Sequence, residues 1–460
     1  MCCLFARDQL IFVPNVQLKN MELPKTIKAR KDGVNMGFFD RFKKAVKQEY
    51  IPIMLATVVF LCLAGCTACT AASAADLMNG MSPNLVNGRQ ADSAFISSMA
   101  NFSIELFKDS LSDKENSLVS PLSVMLALAM TAGGAGKETL VQMEKLLGGD
   151  IPLAELNEYL YSFAKGLPNA EKSKLHIANS IWFRDRLQVK PDFLQRNADY
   201  YGASAYQAAF DSQTVKDINN WVKSNTDGMI ERILDQISFN HVMFLVNAVT
   251  FDAQWQTTYT KESVIEGEFT DINGIKQNID FMHSTEHKYL DDGRATGFIK
   301  AYSDGYSFAV LLPNEDISLE EYIGSLSGEK FLDTLNNRQE REVIASLPKF
   351  KYEYEIQLND ALKRLGIPDA FDEEKADFSK MADLSDGNIF INEVLHKTFI
   401  SVDELGTKAG AVTMVAMTDA SAPIDEPKVV RLDRPFVYAI IDNATKLPIF
   451  IGTVARVGNK

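Results

Sequence analysis

The sequence predicts an α+β fold, because helical periodicity fills its first half, long β-type runs fill its second, and no internal repeat is present. Phe95, Met99, Phe102 and Leu106 recur at spacings of three and four, which draws one apolar stripe along a helix. Ser120 and Pro121 then open residues 122–131, a nearly all-apolar run expected to be a helix buried on every side. Gly133, Gly134 and Gly136 end it. Residues 137–147 and 153–164 predict two further amphipathic helices, 176–183 a strand, and 215–230 an amphipathic helix carrying Trp221. From there β-type runs take over at 242–251, 307–312, 343–349, 389–403, 436–442 and 449–457. Helices are expected between them at 319–335 and 357–365.

Composition bounds the function. With 46% apolar and 23% charged residues among 460, the chain has ample material for a large core. Its formal charge of -14 argues against nucleic acid as a partner, since that needs a concentrated basic face. Cys2, Cys3, Cys62, Cys66 and Cys69 are all the cysteines, so the body beyond them has no disulfide, no cysteine-held metal and no cysteine nucleophile.

The N-terminal part predicts export. Arg41, Lys43, Lys44 and Lys47 precede an apolar stretch over 51–64, and Leu63-Ala64-Gly65 leads into Cys66. A basic region, a short apolar region and small residues make a signal peptide rather than a membrane span, which needs about 20 apolar residues. Leu-Ala-Gly-Cys resembles a bacterial lipobox, which implies a lipid on Cys66. Residues 1–65 are therefore expected to be an N-terminal extension with a lipoprotein signal, with Met36 or Met21 a candidate start. Residues 66–91, rich in Ala, Ser, Asn and Gly, are expected to be a flexible tether, and 92–460 the folded domain.

Several strings resemble one family in its own order. They are Asn116-Ser-Leu-Val-Ser120-Pro121-Leu-Ser123, Thr131-Ala-Gly-Gly-Ala-Gly-Lys-Glu-Thr139, Asn220-Trp221-Val222 with Thr226-Asp-Gly228, and Asn247-Ala-Val-Thr-Phe251 ending at Trp255. Leu347-Pro348-Lys349-Phe350, Leu395-His396-Lys397, Asp433-Arg434-Pro435-Phe436 and Ile449-Phe-Ile-Gly452 follow. The body resembles the serpins, serine protease inhibitors. That resemblance implies a serpin fold: helices packed on three β-sheets, with an exposed reactive-centre loop that a protease attacks as substrate. The severed loop then enters the central sheet as a new strand and drags the acyl-linked enzyme with it. The implied protein is a monomer, not an enzyme, and needs no cofactor and no metal.

The segment that would be this loop runs from Asp403 to Ser421. As a strand it has two faces, and one of them carries Thr407, Ala409, Ala411, Thr413, Val415 and Met417, with no charge. Lys408, the one charge from 407 to 418, falls on the other. A slip of one residue would bury Lys408 unpaired, at about 1–3 kcal/mol or more. By itself the pattern fits an ordinary edge strand or a disordered small-residue loop as well as it fits an inserting strand. The resemblance implies a loop hinge at Glu404, Gly406, Thr407, Ala409, Gly410 and Ala411, whose small residues suit insertion. The family's usual loop length puts the reactive bond between Ala420 and Ser421, with Met417 and Thr418 as alternatives. A small apolar residue there suits elastase-like or subtilisin-like serine proteases, and no Arg or Lys lies between Lys408 and Lys428 to suit a trypsin-like one.

By the same resemblance, Trp255, Lys349 and Glu404 form a breach at the head of the central sheet. Ser120, Ser123, Asn247 and His396 form a polar shutter beneath it. Two rivals are weighed. A non-inhibitory serpin acting as a binding module is disfavoured by the small hinge residues. A metal hydrolase using His283-Ser-Thr-Glu286-His287 would need a helix to bring both histidines to one face, whereas the flanking residues predict strand and turn.

Overall fold

The computed structural model describes residues 73–238, 240–385, 387–407 and 426–458, and the backbone of two short strands near the start. The chain divides into two units, 1–70 and 71–460. In the first, Phe5–Ala6 pairs antiparallel with Gln9–Leu10. The second holds the core.

Its helices follow from the expected stripes. Asp92 caps Ser93–Asp109 by accepting the Phe95 N–H at 3.0 Å, and the helix buries Phe95, Met99, Phe102 and Leu106. Pro121–Ala132 is buried at every residue, as its lack of a polar face requires. Two expectations are corrected. The helix expected over 215–230 is Ser212–Asn225, because Asp227 and Gly228 take left-handed φ values of 50° and 74° that stop it. The single helix expected over 319–335 is two, Leu319–Ser325 and Gly328–Asn336, each started by a serine whose hydroxyl accepts a backbone N–H.

Apart from two two-stranded pairs, the described strands form three sheets, two of them continuous with each other. The central sheet has the order Phe350–Gln357, Glu393–Val402, Gly406–Thr407, Met243–Gln254, Ser173–Arg184, Ser204–Ala208 and Ala75–Asp76. The other two share a nine-stranded ladder. Its outer part contains Val264–Thr270, Lys276–Asp291, Ala295–Ala301, Gln339–Pro348 and Lys428–Arg431; its inner part contains Ser117–Val119, Tyr306–Pro313, Phe436–Asp442 and Pro448–Val454. The inner part reaches the central sheet where Tyr352 donates to Thr453 O and Thr398 donates to Leu118 O, at 3.0 and 2.9 Å.

Part of the stretch expected to be a tether is described. Residues 73–91 lie along the domain rather than free of it. Ala75–Asp76 pairs with Ser204–Ala208, Leu77, Met78 and Met81 pack against the core, and Asn84 donates to the Asp199 carboxylate at 2.7 and 3.2 Å. Arg89 reaches Glu155 and Glu158 at 2.8 and 3.3 Å. These partners are 66 or more residues away in sequence, so composition alone could not reveal them.

Candidate functional site

The site is a seam in the central sheet. Glu393–Val402 and Met243–Gln254 run parallel and pair directly from Glu393 with Phe244 to Thr398 with Val249. Above that point they separate. Thr407 sits between them, opposite Val402 on one side and Ala253 on the other, the two residues that the same register would otherwise pair. Gly406 and Thr407 are therefore wedged into the head of the sheet. Gly406 permits this, because a Cβ there would lie 2.0 Å from the Ala253 carbonyl oxygen. Thr407 is 1% exposed, and its hydroxyl lies 2.5 Å from that of Tyr302.

Trp255 grips the chain just before the wedge. Its backbone N–H donates to Leu405 O and its indole N–H to Asp403 O, both at 2.9 Å, while its ring stacks on Tyr302 at 4.4 Å. Lys349 pairs with Glu404 at 2.5 Å and with Asp280 at 3.4 Å. Burial pulls the Lys349 ammonium down, but the Glu404 and Asp280 carboxylates outweigh it and hold it above its ordinary value. The predicted breach residues thus meet at the head of the seam. Half-exposed ion pairs contribute only about 0–1 kcal/mol, so the aromatic grip carries more of the hold.

Where the two strands still touch, four polar side chains close the seam. The Ser120 N–H donates to His396 Nε2 at 3.1 Å, so the other ring nitrogen, Nδ1, carries the proton and donates to Asn247 Oδ1 across the seam. Asn247 Nδ2 in turn donates to Ser123 Oγ and to Asn179 Oδ1. Ser123, Asn247 and His396 are brought together as predicted. Ser120 joins through its backbone, and its hydroxyl has no hydrogen-bond partner among the described residues. Asn179 was not predicted. It lies directly opposite Asn247 on the neighbouring strand, a signal that appears only once the register is known.

Full burial holds His396 neutral, with its pKa lowered to about 3. The unfolded chain protonates the same imidazole below about pH 6.5. The His396 contribution to stability is therefore complete above pH 6.5 and is lost as the pH falls toward 3. The thermal midpoint of the parent is expected to drop more steeply across that window than that of His396→Gln, which cannot titrate there. Parallel curves from the two proteins would refute this role.

The remaining predicted residues fall elsewhere. Ala409, Gly410, Ala411, Met417, Thr418, Ala420, Ser421 and Cys66 lie outside the described residues. His283 and His287 lie on the strand Lys276–Asp291, where a helical pairing of the two is impossible, and His283 Nδ1 is 3.0 Å from Ser346 Oγ.

Comparison with known proteins gives a consistent match. The family model Serpin (serine protease inhibitor) matches residues 97–457. Serpin-ZXA of Oryza sativa subsp. japonica is 31% identical over 74% of this chain and 90% of its own. Serine proteinase inhibitor 2 of myxoma virus is 30% identical over 76% of this chain and 98% of its own. Among solved structures, the thermophilic serpin tengpin in its native state is 57% identical, covers 84% of this chain and all of its own, and has a TM-score of 0.81. The latent state of tengpin superposes less well, with a TM-score of 0.73 over 81% of this chain.

Proposed function

The chain belongs to the serpin family, and from that premise we propose that it is an inhibitory member, a suicide-substrate trap for extracellular serine proteases of the elastase-like or subtilisin-like kind. The observation that carries the reading is the wedge at Thr407: two parallel strands, already parted at the head, hold the first residue of the loop between them. The uncleaved loop is held back at its far end, which continues into Lys428–Arg431 of a different sheet. Cutting frees the near end to zip in.

Register supports the place of the cut. Extending the pairing of Thr407 with Ala253 and Val402 brings Thr413 between Asn247 and His396, and Ala416 opposite Phe244 and Glu393, where the pairing of the two strands begins. Residues 407–416 then fill the seam. A cut between Ala420 and Ser421 leaves residues 417–420 to span from the foot of the sheet to the bound enzyme, whereas a cut after Met417 leaves a single residue. The same register turns Thr407, Ala409, Ala411, Thr413, Val415 and Met417 to the buried face and leaves Lys408 on the other. The alternative, a serpin acting as a binding module only, gives no reason for so small and uncharged a buried face.

The proposal extends to location: export, a lipid on Cys66, and display at a bacterial surface or release from it. One experiment addresses both parts. The full chain, expressed in a bacterium, is expected in the membrane fraction, and Cys66→Ala is expected to leave it. Incubated with an elastase or a subtilisin, the chain is expected to give a complex that survives denaturing electrophoresis and to release a peptide beginning at Ser421. Cleavage without any complex would defeat the inhibitory reading, and membrane association unchanged in Cys66→Ala would defeat the lipid.

A further inference from the structure

Among the described residues, Lys300 is a cation buried almost completely, at 3% exposure, and nothing in the trap as set out above uses it. Its partner is Glu286, from the His283–His287 string that strand geometry withdrew from metal chemistry, at 2.8 Å. The Lys300 ammonium also lies over two rings, 4.3 Å from the centre of Tyr259 and 5.6 Å from that of Trp255. Ser284 completes the cage by donating to Glu286 at 2.7 Å. Burying a charge in this way is unfavourable unless every side of it is answered. Here a carboxylate answers one side and two aromatic faces answer another.

The residues that carry those two rings also hold the hinge, Tyr259 through its backbone and Trp255 through its backbone and its indole N–H. The Tyr259 N–H donates to Glu404 O at 3.0 Å, and Trp255 takes the carbonyls of Asp403 and Leu405. Tyr302, stacked on Trp255, meets Thr407. Three consecutive hinge carbonyls and the wedged side chain therefore all rest on residues whose rings touch Lys300 or stand one ring away from it. We propose that Lys300, with Glu286, is a positioning residue for the trap: it fixes the Trp255–Tyr259 platform and so keeps Thr407 seated at the head of the seam, ready to lead the loop in. The consequence for trapping rests on the inhibitory reading given above; the seating of the hinge does not.

Hydrogen exchange of the intact chain, followed by mass spectrometry, tests the two separately. In Lys300→Met, amides of residues 403–407 are expected to exchange at least tenfold faster than in the parent, while those of residues 244–249 at the foot of the seam stay unchanged. Lys300→Arg keeps the cation and is expected to retain most of the protection. The double variant Lys300→Met with Glu286→Leu removes the unpaired carboxylate; it is expected to recover the parent's unfolding midpoint and not its hinge protection, which a merely structural ion pair would recover together. Unchanged hinge exchange in Lys300→Met and in the double variant, or a uniform rise over the whole sheet, would overturn the proposal. With a protease that the parent traps, Lys300→Met is also expected to need more inhibitor per enzyme inactivated. If the parent traps none, the inhibitory reading fails, and the exchange pattern still decides what Lys300 does.

Discussion

Thr407→Arg is expected to abolish trapping and leave a chain that the same proteases simply cut. Thr407 is 1% exposed, sits between Ala253 and Val402, and faces Tyr302. A guanidinium forced into that slot displaces the Thr407 contact with the Tyr302 hydroxyl, and a buried charge left uncompensated is unfavourable by about 3–5 kcal/mol. Insertion must begin at this rung, so the penalty falls on the first step, before any later pairing can offset it. Each 1.4 kcal/mol shifts the competition between insertion and release of the cut loop about tenfold, so the acyl-enzyme is expected to hydrolyse before it is distorted. The assay is the amount of inhibitor consumed per enzyme inactivated, read with a denaturing gel. Capture by Thr407→Arg at the parent's ratio would sink the wedge as the initiating step.

The second large effect is thermal. Once the loop is cut, residues 408–416 can pair on both sides, with 244–252 and 393–401, along a seam that at its head holds only Gly406 and Thr407. Two new ladders replace one, a net gain of about ten backbone hydrogen bonds at ~1 kcal/mol each. In a domain of this size 1 kcal/mol moves the midpoint by little more than about 1 °C, so the cut protein is expected to unfold roughly 10–15 °C above the intact one. Calorimetry before and after limited cleavage measures this. Cut Thr407→Arg, whose loop cannot lead in, is expected to show little of the gain. A parent whose midpoint does not move on cutting would remove the stored energy on which trapping depends.

Much of this was legible in the residues, for reasons that also explain what was not. Helical stripes and apolar β runs report burial directly, so the long buried helix at Pro121–Ala132 and the strand Met243–Gln254 were readable. Phe350–Gln357 was missed as a strand because Lys351, Glu353 and Glu355 alternate along an edge, where charge outward looks like a polar loop. Asn179 and the Lys300–Glu286 pair escaped for a different reason. A polar residue in a strand looks solvated until the register shows what lies across from it, and these partners are 68 and 14 residues away in sequence. Most of the polar cluster and the breach was visible only through the family's order of motifs, since nothing local in Ser123 or His396 announces a partner on another strand.

The parallel seam also fixes what kind of machine the proposed trap would be. Residues 407–416 at about 3.3 Å per residue give a single stroke of roughly 30 Å from the head of the sheet to its foot, set by strand length rather than by any hinge angle. That stroke has no return, because the closed state is the more stable one. Each copy is spent once. Protection would therefore scale with the number of molecules a cell displays rather than with how fast any one of them works.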